Sequence, residues 1–97
     1  MVSKENINYT LIDNKEKSRF EFRIGDQVAV ADYDINGSTI SMPYVGVPKA
    51  LEGQGIASAL VLSVLQTIEE RKLKLIPICP FVVTYVQRHP EWKKLLN

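Results

Sequence analysis

The chain has one cysteine, one histidine and one tryptophan, and neither sign of charge dominates: 12 Lys and Arg stand against 11 Asp and Glu, for a formal net charge of +1. Each shortage excludes something. A lone thiol cannot close an internal disulfide and suits a reducing compartment. With a single histidine, and no His, Cys, Asp and Glu at metal-ligand spacing, a protein-held metal is not expected. A near-neutral chain gives no electrostatic case for nucleic acid, which needs a concentrated basic face. Its short basic runs (Lys15, Lys17, Arg19; Arg71, Lys72, Lys74; Lys93, Lys94) read as solvated surface. Met1 to Asn8 is polar and lacks the apolar core of a signal peptide. The longest helix-like apolar stretch is broken by Ser and Gln and falls far short of a membrane span. The expectation is a cytoplasmic protein with no membrane partner, a monomer or weak dimer.

What is present is an ordinary globular composition, 45% hydrophobic and 24% charged over 97 residues, enough for one domain spanning 1–97. Asn8 to Asp13 reads as a weak first strand and Asn14-Lys15-Glu16-Lys17 as a charged turn. From Arg19 to Ile24 the residues alternate, with Phe20, Phe22 and Ile24 on one face and Arg19, Glu21 and Arg23 on the other, the period of a half-buried strand. Gly25-Asp26 turns the chain into a strand with Val28 and Val30 on one face and Ala29, Ala31 and Tyr33 on the other. Asn36-Gly37 predicts a hairpin with a type I′ turn. A fourth strand, Ser38 to Val47, places Ile40, Met42 and Tyr44 on a shared face, and Pro43 inside it marks a bulge or an edge. Ile56, Leu60, Val64 and Ile68 then recur at helical spacing, predicting a helix from about Gly55 to Lys72. Leu73 to Ile78 reads as an apolar interior strand parallel to an earlier one. Pro80 opens a second helix, His89-Pro90 ends it, and Glu91 to Leu96 forms a closing turn or two anchored by Trp92 and Leu95. The order β-β-β-β-α-β-α is that of an α+β fold.

Function is concentrated in the segment joining the fourth strand to the long helix, Val45-Gly46-Val47-Pro48-Lys49-Ala50-Leu51-Glu52-Gly53-Gln54-Gly55-Ile56-Ala57. The first N–H groups of a helix have no partner inside it, and the helix dipole puts partial positive charge there, so an anion is favoured. Glycine lets a phosphate approach the backbone closely. Two readings stand: a loop that holds a pyrophosphate, and a glycine-rich helix start that binds nothing. The segment is not a P-loop, because it lacks the second glycine followed by Lys and Ser or Thr. It is not a dinucleotide fingerprint, because Ser58 stands where the third glycine belongs and no acidic residue about 20 positions on closes a second strand. A phosphate loop after an antiparallel meander points elsewhere.

Gly53-Gln54-Gly55-Ile56-Ala57-Ser58-Ala59-Leu60 resembles motif A of the GNAT superfamily, the acetyl-coenzyme-A-dependent N-acetyltransferases, whose pattern is Gln/Arg-x-x-Gly-x-Gly/Ala. Ala50 stands where Gln or Arg is usual. Leu73 to Phe81, then Tyr85 and Arg88-His89-Pro90-Glu91-Trp92, extend the likeness to the small single-unit YjdJ-type subgroup, over roughly residues 20 to 96. The resemblance implies a minimal GNAT-like fold: a mostly antiparallel sheet, two main helices, and two strands, Ser38–Val47 and Leu73–Ile78, that splay apart to admit the pantetheine arm. It also implies cofactor contacts from Val45 and Val47, from Glu52, Gly53, Gln54, Gly55, Ile56 and Ala57, and from Cys79 and Tyr85. Acetyl-CoA would be the co-substrate and an unidentified amine the acceptor.

Acetyl transfer needs a neutral amine, a stabilised oxyanion and a proton for the departing thiolate. The catalytic candidates are Tyr85, Cys79 and Tyr44. The resemblance implies that Tyr85 lies near the thioester sulfur, where its hydroxyl can donate that proton; the alternative is a core tyrosine used for packing. Cys79, between Pro77 and Pro80, reads either as a nucleophile aided by a helix N-terminus and by His89 as base, or as an inert buried thiol. Tyr44 stands where subgroup members carry histidine, which leaves Tyr33, Asp32 and Asp34 as bases acting through water. Three functions follow: an N-acyltransferase, a CoA-binding module without turnover, and an interaction domain that keeps only the fold.

Overall fold

The computed structural model describes residues 9–97. Five strands form one sheet in the order β1-β2-β3-β4-β5: β1 Leu11–Asn14, β2 Arg19–Ile24, β3 Gln27–Asn36, β4 Thr39–Gly46 and β5 Lys74–Pro77. The first four strands are antiparallel neighbours and β5 joins β4 in parallel. A parallel partner requires a crossover, supplied by α1 Ile56–Glu70. Helix α2 Pro80–Arg88 and a 3-10 segment Pro90–Leu95 complete the chain. The architecture is the α+β fold expected. Asn8, the expected start of the first strand, lies outside the described residues.

Helix α1 packs against all five strands, and α2 packs against β4, β5 and α1. The core between them holds Phe20, Phe22, Ala29, Ala31, Ile40, Met42 and Leu75 from the sheet with Ile56, Leu60, Val61, Val64, Leu65 and Ile68 from α1. The i, i+4 stripe read from the sequence is thus the buried stripe. Burying such side chains contributes about 1.5–3 kcal/mol each before the entropy of ordering them is set against it. No helix among the described residues is long and apolar enough to cross a membrane.

Two local readings change. The hairpin after β3 forms, but its two loop residues are Gly37 and Ser38, since Asn36 pairs with Thr39. Of these only Gly37 has positive φ, at 65°, so the turn meets the type II′ requirement and not the I′ requirement. Helix α1 ends at Glu70, not Lys72; Lys72 has φ 59°, a left-handed residue with which the helix cannot continue.

Glu21 is the larger surprise. Alternation put it on the polar face, which is correct, yet it is only 1% exposed. Its Oε2 accepts hydrogen bonds from Arg19 Nε at 2.7 Å and Asn14 Nδ2 at 3.0 Å, and its Oε1 from Arg23 Nε at 2.9 Å. The Arg19 bond, helped by Asn14 and Arg23, outweighs the desolvation that opposes it and holds the carboxyl down at about 2. On the inner side, Tyr33 Oη donates to Asp13 Oδ1 at 2.6 Å and Arg71 Nη2 to Asp13 Oδ2 at 2.8 Å, which ties the end of α1 to β1. Burial, reinforced by the Asp13 carboxylate, pushes Tyr33 up to about 12.

Candidate functional site

Strand β4 has two halves. From Thr39 to Ser41 it pairs with β3 on one side, and from Thr39 to Met42 with Lys74–Pro77 of β5 on the other. From Tyr44 to Gly46 it pairs with β3 alone. The change comes at a bulge: Asp34 pairs with Ser41 and Asp32 with Tyr44, so Tyr33 alone on β3 is opposed by Met42 and Pro43 on β4. Pro43, which has no N–H to give a ladder, stands at the irregularity. The backbone N–H groups of Ile78 and Cys79 both turn to Met42 O, at 3.3 and 2.9 Å, after which the chain leaves the sheet for α2. The two strands therefore part beyond Met42, and one edge of Tyr44–Gly46 has no strand partner. This is the splay anticipated for Ser38–Val47 and Leu73–Ile78.

The bulge corrects the reading of Tyr44. It does not share the face of Ile40 and Met42, both fully buried; the extra residue rotates it to the opposite face, where it is 53% exposed. Val45 takes the inward position instead and packs against the core. Tyr44 folds back along β4 over Gly46. A Cβ at Gly46 would fall 2.6 Å from Tyr44 Cζ, so a side chain there would push the exposed ring aside.

Beyond Val47 a 3-10 turn, Lys49–Leu51, leads into the glycine loop. Gly53 and Gly55 have φ of 82° and 75°, a region costly for any residue with a Cβ. Gly55 is the N-cap of α1, and no side chain caps that helix. The N–H groups of Ile56, Ala57 and Ser58 have no acceptor within the helix, and they meet an open pocket of about 220 Å³. Val47, Leu51, Glu52, Gly53, Gly55, Ile56, Ala57, Ser58 and Phe81 line it. An ideal Cβ on Gly53 or Gly55 would meet nothing within 4 Å, so the space above the loop is free. Uncapped donors, a positive helix pole and adjoining apolar side chains fit the pyrophosphate and neighbouring groups of a nucleotide-like ligand.

Of the residues proposed to contact a cofactor, Val47, Glu52, Gly53, Gly55, Ile56 and Ala57 line this pocket, whereas Val45, Gln54, Cys79 and Tyr85 do not. Leu51, Ser58 and Phe81 are additional. Phe81, 38% exposed at the start of α2, reaches this site only through the tertiary fold. Glu52 sets a carboxylate on the lining where an anion would sit.

Cys79 is the N-cap of α2 and buried, next to the point where the strands part. The proposed pairing with His89 fails. His89 lies at the other end of the 9-residue helix, about 15 Å away by helical rise. Its Nδ1 is 2.9 Å from Tyr85 O, and its ring stacks on Tyr85 at 4.1 Å between centroids. Tyr85 is buried on α2, and no side chain among the described residues hydrogen-bonds its hydroxyl. Burial, with a smaller contribution from the Glu91 charge, raises its pKa and keeps the phenol protonated. Of the three water-linked bases, Tyr33 is engaged with Asp13, while Asp32 and Asp34 lie on the outer face of the sheet. No group of three or more metal-binding side chains exists among the described residues. Compared with known families, residues 19–95 match the model described as GCN5-related N-acetyl-transferase.

Proposed function

The chain belongs to the GCN5-related N-acetyltransferase family, and from that membership we propose that it is an acetyl-CoA-dependent N-acyltransferase that acetylates an amine. The observation that carries the proposal is the uncapped N-terminus of α1 opening on the pocket beside the diverging strands. In this reading the backbone N–H groups of Ile56, Ala57 and Ser58, shaped by Gly53 and Gly55, hold the pyrophosphate. The unpaired edge of Tyr44–Gly46 supplies strand-like hydrogen bonds to the pantetheine arm. The thioester brings an acyl group already activated for attack. Tyr85, its phenol kept protonated by burial, gives its proton to the leaving sulfur. Cys79 packs beside the thioester and transfer is direct from thioester to amine. The two motifs, at the YjdJ-type spacing, suit a single minimal catalytic unit.

A CoA-binding module without turnover, or an interaction domain on the same fold, is the alternative. Glu52 on the pocket lining and the distance of His89 from Cys79 favour it. Calorimetric titration with acetyl-CoA, CoA and ATP separates these readings. Saturable binding of acetyl-CoA and CoA but not ATP is expected, together with acetyl transfer to an added amine. Binding without transfer to any amine would support the module, and no binding up to millimolar ligand would leave only the fold.

A further inference from the structure

Tyr85 is only 8% exposed, yet no described residue hydrogen-bonds its hydroxyl. A buried hydroxyl without a partner is uncommon and calls for a reason. With nothing bonded to its end, the ring is placed by whatever touches its faces. One face meets His89, whose ring stacks on it at 4.1 Å between centroids, with 21° between the planes.

His89 is itself held from the main chain outward. Its backbone N–H donates to Tyr85 O at 3.0 Å and to Val86 O at 3.3 Å, and its carbonyl accepts from Trp92 N–H at 2.9 Å. Its Nδ1 lies 2.9 Å from the same Tyr85 O; a carbonyl can only accept, so Nδ1 carries the hydrogen. Pro90 turns the residue before it away from helical backbone, and His89 sits at φ −127° and ψ 71°, closing α2 and opening the 3-10 segment. An ordinary i, i+4 pair meets only through its side chains. Here one partner is also bonded to the main chain of the other.

We infer that His89 is a positioning residue for the transfer step: its imidazole holds the Tyr85 phenol in the rotamer from which the hydroxyl protonates the leaving sulfur. The inference rests on the acetyl-transfer reading above. In that step the amine nitrogen bonds to the acyl carbon and the C–S bond breaks. The sulfur takes the Tyr85 proton, and the phenolate recovers one from solvent, which receives the proton the nitrogen loses. Placement matters because a group displaced by about 1 Å loses much of its catalytic effect.

The test uses the whole chain with acetyl-CoA and three primary amines: 2-phenylethylamine, ethanolamine and spermidine. CoA release is read by a thiol reagent, acetyl-CoA affinity by calorimetry, and folding by urea titration. His89→Asn removes the ring, whereas His89→Phe keeps a stacking ring and loses the Nδ1 bond. In His89→Asn kcat should fall about fivefold, the worth of an aromatic pair, with KM for acetyl-CoA unchanged. His89→Phe should stay within about twofold of the unsubstituted chain. In a Tyr85→Phe background His89→Asn should cost nothing further, because no donor is left to place. His89→Gln replaces the Asn variant if that one does not fold. An undiminished kcat in His89→Asn, an equal loss in His89→Phe, or a loss that multiplies that of Tyr85→Phe overturns the inference and leaves the donor role of Tyr85 standing. An undiminished kcat in Tyr85→Phe overturns the donor role and this inference together, as does acetyl-CoA binding with no amine acetylated. Absence of acetyl-CoA binding overturns the cofactor site as well.

Discussion

The two halves of β4 are one strand with two tasks. Thr39–Met42 is held by β5, and as far as Ser41 by β3 as well, and sends Ile40 and Met42 fully into the core. Tyr44–Gly46, past the bulge at Pro43, keeps one edge free and turns its tyrosine outward. Backbone hydrogen-bonding groups seldom lack a partner in a protein interior. An unpaired strand edge and an uncapped helix N-terminus, joined by a 3-10 turn and the glycine loop, therefore leave two groups of main-chain positions open to a ligand. Stability belongs to the first half, and the proposed recognition to the second.

The largest effect should come from the closed half. Met42→Ala removes a buried side chain between sheet and helices and should lower the unfolding free energy by about 2–5 kcal/mol in a urea titration. At temperatures where the variant stays folded, acetyl-CoA affinity should be unchanged. Gly55→Val acts in the opposite way. Its φ of 75° penalises any Cβ, at about 1–2 kcal/mol of stability, and the branched side chain enters the ligand space. Acetyl-CoA affinity should fall about a hundredfold, or about 2.7 kcal/mol by calorimetry.

Glu21 lies away from both halves of β4 and is a control. Its folded pKa, about 2, is below the ordinary glutamate value of 4.5, so the unfolded chain binds more protons in that window. The stability it contributes is present above about pH 4.5 and is lost as pH falls through the folded value toward 2. Acid titration of the unfolding free energy should show a decline of about 2 kcal/mol across that window. Glu21→Gln should remove this decline and leave acetyl-CoA binding intact. Next comes Tyr85→Phe, which keeps the ring and deletes the proton donor; kcat should fall about tenfold or more with KM nearly constant. The smallest effect is expected from Gly46→Ala, whose methyl displaces the Tyr44 ring at under about 1 kcal/mol of stability.

Period alone made most of the scaffold legible. The α1 stripe, the Phe20 and Phe22 face of β2, Pro80 at the start of α2 and the Leu95 anchor are all local patterns, and the structure keeps them. What escaped was whatever depends on a neighbour. Pro43 advertised a bulge, yet the direction of Tyr44 beyond it depends on how β4 counts against β3. Alternation put Glu21 on the correct face but could not show two arginines and an asparagine closing over it. The glycine loop was readable because left-handed φ and uncapped donors leave a mark in residue type. Phe81 on the pocket lining was not, because only the chain's return after β5 brings it there.

Amide hydrogen exchange with and without saturating CoA, resolved by residue, tests most directly whether the open half of β4 and the start of α1 form one ligand site. Added protection is expected at Val45, Gly46 and Val47 and at Ile56, Ala57 and Ser58, with none at Thr39 to Met42. Protection spread evenly along β4, or absent from both segments although CoA binds, would contradict the account.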